Sequence, residues 1–316
     1  MRFAVQILYF DCDQFILKTI ENCAPFVDKI FIIYSPEPWS AYNKSARLNY
    51  KNPSNPEILK QSKYYSKIQL ITGTWEREDD QRNECLEIAR EQGFDYLIIQ
   101  DADEFYNPEE YQKNINQIIA NPDHLYYRCI WYIFWKSTKY VVLNFYPYFF
   151  GNQKYVPSYK LTQLHFNPCF AVNCKKDVKF ADKRMLNTLD YFMLDGVCFH
   201  LSYVLNDEQL ESKIHTWGHS HQVDIDNWLK TKWYGWTQKT KNLNPISLIN
   251  WHKAVEYKGD MPKEIADYNA GTQKYIKPKL TDILRSQKKE WLTFVSFLLK
   301  DAKYLLTKKF KKSEPV

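Results

Sequence analysis

Three carboxylates stand within four residues of the stretch LIIQDADEF, residues 97–105: Asp101, Asp103 and Glu104. Like charges packed that closely repel, and burying any of them is costly unless something positive is near. The run is therefore either a solvated turn or the seat of a cation. In an extended segment residues two apart project to the same side, so Asp101 and Asp103 would face one ion together. Hard divalent ions such as Mg²⁺ and Mn²⁺ prefer oxygen ligands and often take one or two carboxylates plus substrate phosphates. The spacing excludes an EF-hand: counted from Asp101, the sixth residue is Tyr106 rather than Gly, and the twelfth is Gln112 rather than Glu.

The elements around this run must bury its strand and expose its turn. Residues 3–10 and 29–35 are short apolar strands, with a helix over 14–26 between them carrying Phe15, Ile16, Ile20 and Cys23 at helical spacing. Residues 67–72 form a third strand. A helix over 79–93 opens with aspartates at its cap and stops at Gly93. Residues 94–100 form a fourth strand, and a helix over 108–121 is opened by Pro108. Such alternation predicts a parallel sheet with helices on its faces. Ligands of open sheets bind outside the carboxyl ends of the strands, where Asp101 and Asp103 stand. Residues 122 to about 205 are aromatic and strand-rich, and the chain beyond reads as polar and mostly helical.

The stretch TWEREDDQRNECLEIAREQGFDYLIIQDADEF resembles the nucleotide-sugar half of a GT-A fold glycosyltransferase of the family 2-like kind. There an Arg-Asn pair opens a helix, an apolar strand follows, and D-x-D ends it. The matching residues are Arg82, Asn83, Asp101 and Asp103. The opening ILYFDCDQFILKTIENC is similar to that family's first strand and helix, with Asp13 at its usual acidic position. The likeness spans about the first 120 residues. It implies an α/β fold: a Rossmann-like half with a mostly parallel central sheet over 1–121, an acceptor half over 122–222, and a helical C-terminal region over 223–316. It implies a metal-dependent enzyme moving a sugar from a nucleotide-sugar to a glycan or lipid-linked acceptor. Asp13, Arg82, Asn83 and Asp101 would serve the donor, and Asp101 and Asp103 would hold Mn²⁺ or Mg²⁺. The family's acidic residue at the end of its second strand is replaced by Tyr34 and Ser35, which leaves UDP and GDP both open.

His200, at the end of the apolar run DGVCFHLSYV, stands where such enzymes often supply a third metal ligand; the alternative is a core histidine bonded to backbone. His215 and His219 are one helical turn apart, but Thr216 stands where a zincin needs Glu. An inverting transferase needs a general base near the acceptor hydroxyl. Asp182, Asp190 and Asp195 lie in the right part of the chain, and Asp195, nearest His200 in sequence, is the candidate. Trp131, Trp135, Trp217, Trp228, Trp233 and Trp236 are either core or sugar-stacking faces.

Composition narrows the alternatives. The 316 residues hold only 8 Gly, and no G-x-x-x-x-G-K-[ST], G-x-G-x-x-G or G-x-S-x-G occurs, so three large enzyme classes lose support. The net charge of +6 suits an anionic ligand or surface without demanding one. No nucleic-acid motif accompanies it. Seven cysteines without a C-x-x-C pair read as reduced core thiols of a cytoplasmic protein. No signal peptide and no spanning helix are expected. The tail over 290–312 pairs an apolar stripe with a lysine-rich end, so it is either a helix docked on its own domain or one lying on an anionic membrane. Two rivals to the transferase remain. One is a metal-dependent nucleotidyl or phosphoryl transferase, and the other a non-catalytic glycan- or membrane-binding protein on the same fold.

Overall fold

The computed structural model describes residues 1–42, 50–145, 161–162, 168–216, 222–246 and 251–311. The chain divides into two compact units. The first comprises residues 1–141, 163–218 and 256–271, and the second residues 142–162, 219–255 and 272–316.

The first unit is the α/β body that the alternating pattern predicts. Strands β1 (Phe3–Tyr9), β2 (Lys29–Tyr34), β3 (Ile68–Thr72) and β4 (Tyr96–Ile99) pair in parallel in the order β3-β2-β1-β4. Helices α1 (Asp13–Cys23), α2 (Glu78–Glu91) and α3 (Pro108–Ala120) connect them or follow them. The inner strands β1, β2 and β4 are covered on both faces and so are almost wholly apolar rather than alternating, whereas the edge strand β3 is half exposed. Alternate residues feed two separate cores. Val5, Ile7, Ile30, Ile32 and Ile98 cluster with Ile16 and Ile20 of α1 and Tyr111 and Ile115 of α3. Ala4, Phe31, Ile33, Leu97 and Ile99 cluster with Cys85, Leu86 and Ala89 of α2.

Local sequence signals end these helices where expected. Gly93 takes φ +71°, and its N–H bonds the Arg90 carbonyl while that of Phe94 bonds the Ala89 carbonyl. That is a Schellman stop, for which a residue without Cβ is suited. One detail differs from expectation: Asp79 and Asp80 do not cap α2 but lie inside its first turn, after Arg77. There they favour the positive end of the helix dipole.

Beyond β4 the sheet becomes mixed. Strand β5 (Glu104–Phe105) follows the carboxylate turn. Strand β6 (Tyr126–Trp135) joins β7 (Ser137–Phe145) through Lys136, and β8 (Leu161–Thr162) pairs with β7. Strand β9 (Cys169–Asn173) inserts between β4 and β6, antiparallel to both. A small hairpin, β10 (Phe180–Asp182) and β11 (Met185–Leu186), precedes the long β12 (Tyr191–Tyr203). β12 runs parallel to β6 and antiparallel to β5, placing His200 opposite Glu104. Helix α4 (Asp207–Thr216) follows.

The second unit holds α5 (Ile225–Trp228), a π-helical turn over Leu229–Tyr234, β13 (Trp251–Glu256) beside β7, and the long α6 (Leu280–Lys311). The C-terminal part is thus less helical than its polarity suggests: between Gly235 and Lys279, β13 is the one regular element among the described residues. Helix α6 begins ten residues before the predicted tail helix. Among the described residues no helix is long and apolar enough to cross a membrane. All seven cysteines are buried free thiols, as their apolar surroundings predict.

Candidate active site

The carboxylate run is a turn, not an extended segment. The Glu104 N–H bonds the Asp101 carbonyl at 3.0 Å, and the Asp101 N–H bonds Glu104 Oε2 at 3.1 Å. The two-residue alternation that would aim Asp101 and Asp103 at one ion therefore does not operate. The structure gives them different partners.

Asp101 is held by two guanidinium groups. Arg82 Nη2 donates to Oδ1 at 2.9 Å, and Arg184 Nη1 donates to Oδ2 at 3.2 Å. Arg82 is almost wholly buried on α2 and also bonds Glu78 through Nε and Nη2. Its Nη1 has no hydrogen-bond partner among the described residues. Burial alone would raise the Asp101 carboxyl, but Arg82 and Arg184 outweigh it and lower it.

Arg184 comes from the hairpin connection between β10 and β11. Its five N–H donors meet five acceptors: the carbonyls of Cys169 and Ile99, Asp101, and both oxygens of Glu104. A guanidinium carries five donors in a fixed fork, so this side chain is saturated. Its Cζ also lies 5.4 Å from the centre of the Trp131 ring. Glu104 is completely buried, and burial pushes its carboxyl up against the opposing pull of Arg184. Glu104 is therefore the structural member of the run, the carboxylate that ties the turn to Arg184.

Asp103 is held differently. Lys213 Nζ, from the last turn of α4, bonds Oδ2 at 3.1 Å and Ser202 Oγ at 2.6 Å. His200 Nε2 lies 3.5 Å from Oδ1, too long for a good N–H···O bond. The His200 ring stacks on Trp131 with centroids 4.3 Å apart. Its Nδ1 is buried without a hydrogen-bond partner among the described residues. Burial again would raise the Asp103 carboxyl, but Lys213 first and His200 second hold it well below the usual carboxylate range.

The other candidates fall in three places. Asn83 does not point at the turn. Its Nδ2 donates to the Phe180 carbonyl at 2.9 Å, and its Oδ1 accepts the Phe180 N–H at 2.8 Å. It clamps the hairpin that presents Arg184, and so acts on the site through position. Asp13 opens α1 at the end of β1, where its carboxylate accepts from Tyr9 Oη at 2.6 Å and from the Asn55 N–H at 3.2 Å. Asp195 is not brought to the turn. It sits five residues before His200 on β12, roughly 15 Å along the strand, and bonds Gln117 of α3 at 2.7 Å. Of the tryptophans, Trp131 stands at the site, whereas Trp135, Trp228 and Trp233 are buried. His215 is exposed on α4, while His219, His221 and Trp217 lie outside the described residues. Arg184 and Lys213 carry no signal in the sequence, being charged residues in polar surroundings.

Among the described residues no three His, Cys, Asp or Glu side chains converge as a ligand cluster. Asp103 Oδ1 and His200 Nε2 do face each other across 3.5 Å. Two neighbouring ligands of one small divalent ion, with bonds of about 2.1 Å at right angles, stand about 3 Å apart. The pair fits such an ion as two protein ligands, with substrate oxygens and water completing the shell.

Residues 51–179 match the family model described as Glycosyl transferase family 2. This segment is glycosyl transferase family 2-like. It takes in α2, β4 and the whole carboxylate turn, and with them Arg82, Asn83, Asp101 and Asp103. Arg184, Asp195, His200 and Lys213 lie beyond it, and the match spans less than half of the chain. Among solved structures, Staphylococcus aureus TarS, residues 1–349, is 13% identical, with 64% of this chain and 61% of that chain aligned at a TM-score of 0.33. This chain thus spans less than two thirds of that protein. A 4-diphosphocytidyl-2C-methyl-D-erythritol synthase from Anaerococcus prevotii is 13% identical over 62% of this chain and 87% of that one, with a TM-score of 0.35. Likenesses this distant add nothing to the family match. No curated protein matches the chain.

Proposed function

We propose that this protein is a glycosyltransferase that takes its sugar from a nucleotide-sugar, UDP- or GDP-linked, and passes it to a glycan or lipid-linked acceptor. One observation carries the reading. The family 2-like segment ends its buried β4 on a turn whose second carboxylate, Asp103, faces an imidazole nitrogen at 3.5 Å. This is the carboxyl edge of the parallel strands, where α/β sheets bind ligands. As the donor's glycosidic bond breaks, negative charge gathers on the departing diphosphate and must be met by positive charge already in place. Mn²⁺ or Mg²⁺ on Asp103 and His200 would supply Lewis-acid charge at that leaving group. The chain's own residues hold the geometry. Arg184 and Arg82 lock Asp101 and Glu104, so the turn cannot relax, and the stacked Trp131 orients His200. Asp13 marks the donor edge at the end of β1.

The test is thermal unfolding with a panel of UDP- and GDP-sugars, with and without Mn²⁺. A ligand that binds only the folded state stabilises it by about 2.7 kcal/mol at 100 times its Kd. One nucleotide class is expected to raise the melting temperature in a Mn²⁺-dependent way. If no nucleotide-sugar raises it, the donor reading is wrong.

A second part of the proposal is that helix α6 lies on a membrane surface, which would suit a lipid-linked acceptor. On α6, Trp291, Leu292, Phe294 and Leu299 are exposed, and six lysines follow between Lys300 and Lys312. Exposed apolar side chains next to a basic run suit an anionic bilayer interface. The protein is expected to float with vesicles containing phosphatidylglycerol, to ignore pure phosphatidylcholine, and to release in high salt. Equal binding to both vesicle types, or to neither, would sink this part.

A further inference from the structure

The cation expected at Asp103 has a resident competitor. Lys213 occupies Oδ2 of the same carboxylate whose Oδ1 faces His200. Its ammonium is partly exposed, with 31% of the side chain open to solvent, so it can leave without losing solvation. The helix that carries it is anchored by its neighbour. Ser212 Oγ bonds Asp11 Oδ2 at 3.1 Å, and Tyr50 Oη lies 2.8 Å from both. Asp11 sits just past β1 in the left-handed region, at φ +52°, and its carboxylate and N–H are both held by side chains of the neighbouring loop and of α4. The last turn of α4 is thereby fixed over the carboxyl edges of β1 and β4, while the lysine side chain itself remains a flexible four-carbon stem.

Asp101 is the more exposed carboxylate, with 29% of its side chain open to solvent against 15% for Asp103, but both its oxygens accept from buried or nearly buried guanidinium groups, whereas Asp103 Oδ1 faces the His200 imidazole. A divalent ion that pairs a carboxylate with the His200 imidazole does so at Asp103, against the charge of Lys213. We propose that Lys213 is the exchangeable counter-charge of the metal position. It neutralises Asp103 in the donor-free protein, opposes binding of a divalent ion alone, and is displaced when the ion enters on Asp103 and His200. This inference rests on the donor-site reading above. It adds that the free protein's metal affinity is set by a lysine outside the family 2-like segment.

The experiment is Mn²⁺ titration of the full chain without nucleotide, followed by the electron paramagnetic resonance signal of free Mn²⁺. Lys213→Met removes the charge and keeps the length. Lys213→Arg keeps the charge. Removing one unit charge about 4 Å from the ion at partial exposure is worth roughly a factor of ten. Lys213→Met is expected to bind Mn²⁺ about tenfold more tightly than wild type, with Lys213→Arg unchanged. Asp103→Ala in the Lys213→Met background should abolish the gain. Equal or weaker binding by Lys213→Met, with circular dichroism showing a native fold, overturns the proposal. So does an absence of Mn²⁺ binding in every variant. A separate thermal-unfolding titration with UDP- and GDP-sugars at saturating Mn²⁺ distinguishes the two failures: nucleotide binding there keeps the donor site while the exchange falls, and its absence removes both.

Discussion

Asp103→Asn is expected to lower the turnover number by about 10²-fold or more while keeping the native fold. The reason is that asparagine keeps the shape and an acceptor oxygen for Lys213 but removes the charge that would fix a cation at the leaving diphosphate. Losing one preorganised electrostatic element of this kind typically costs 10²–10³ in rate. Release of nucleoside diphosphate from the donor identified by the binding panel is the measurement. The loss should appear in kcat and kcat/KM together, since the interaction is strongest in the transition state. A change of less than about threefold would mean that the D-A-D-E turn is not where the donor reacts. The same substitution has a stability signature with a definite sign. The Asp103 carboxyl lies well below the usual range in the folded protein and near 3.9 in an unfolded chain. Its contribution to stability is complete above that unfolded value and is lost as the pH falls toward the folded one. Wild type should therefore lose stability below about pH 4 more steeply than Asp103→Asn.

The largest structural effect is expected from Arg184. Arg184→Ala removes five hydrogen bonds at once and leaves Glu104, with no exposed surface, facing nothing positive. Breaking a buried ion pair by deleting one partner costs about 3–5 kcal/mol, because the remaining charge is neither paired nor hydrated. Urea unfolding should show that loss as a lower midpoint with an unchanged slope. Arg184→Lys should recover only part, since an ammonium cannot reproduce the fork that grips both Glu104 oxygens. Glu104→Gln added to Arg184→Ala removes the stranded charge, so the double variant should be more stable than Arg184→Ala alone. If the single variant loses less than about 1 kcal/mol, or the double variant is no better, Glu104 is not the charged anchor described above.

What the sequence by itself determined is the local part of this protein. Apolar runs at 3–9, 29–34 and 96–99 become the inner parallel strands, because burial on both faces favours near-continuous hydrophobic side chains, and 68–72 adds a half-exposed edge strand. Gly93 and Pro108 stop and start helices, because backbone dihedrals are set residue by residue. The D-A-D-E turn falls at the carboxyl edge of β4 for the same local reason. Only the tertiary structure decided what those carboxylates touch. Asp101 and Asp103 do not share side-chain partners, because a turn separates their directions and brings two arginines to one and Lys213 and His200 to the other. Arg184 reaches Glu104 across 80 residues of sequence, and Lys213 reaches Asp103 across 110. Both depend on the antiparallel return through β9, the hairpin clamped by Asn83, and the register of β12 on β5 and β6. Asp195 shares β12 with His200 yet lies away from the turn, and nothing in its neighbourhood along the chain marks that difference. Charge pairing over such separations is selected by long-range register and burial, and neither leaves a periodic trace in the sequence.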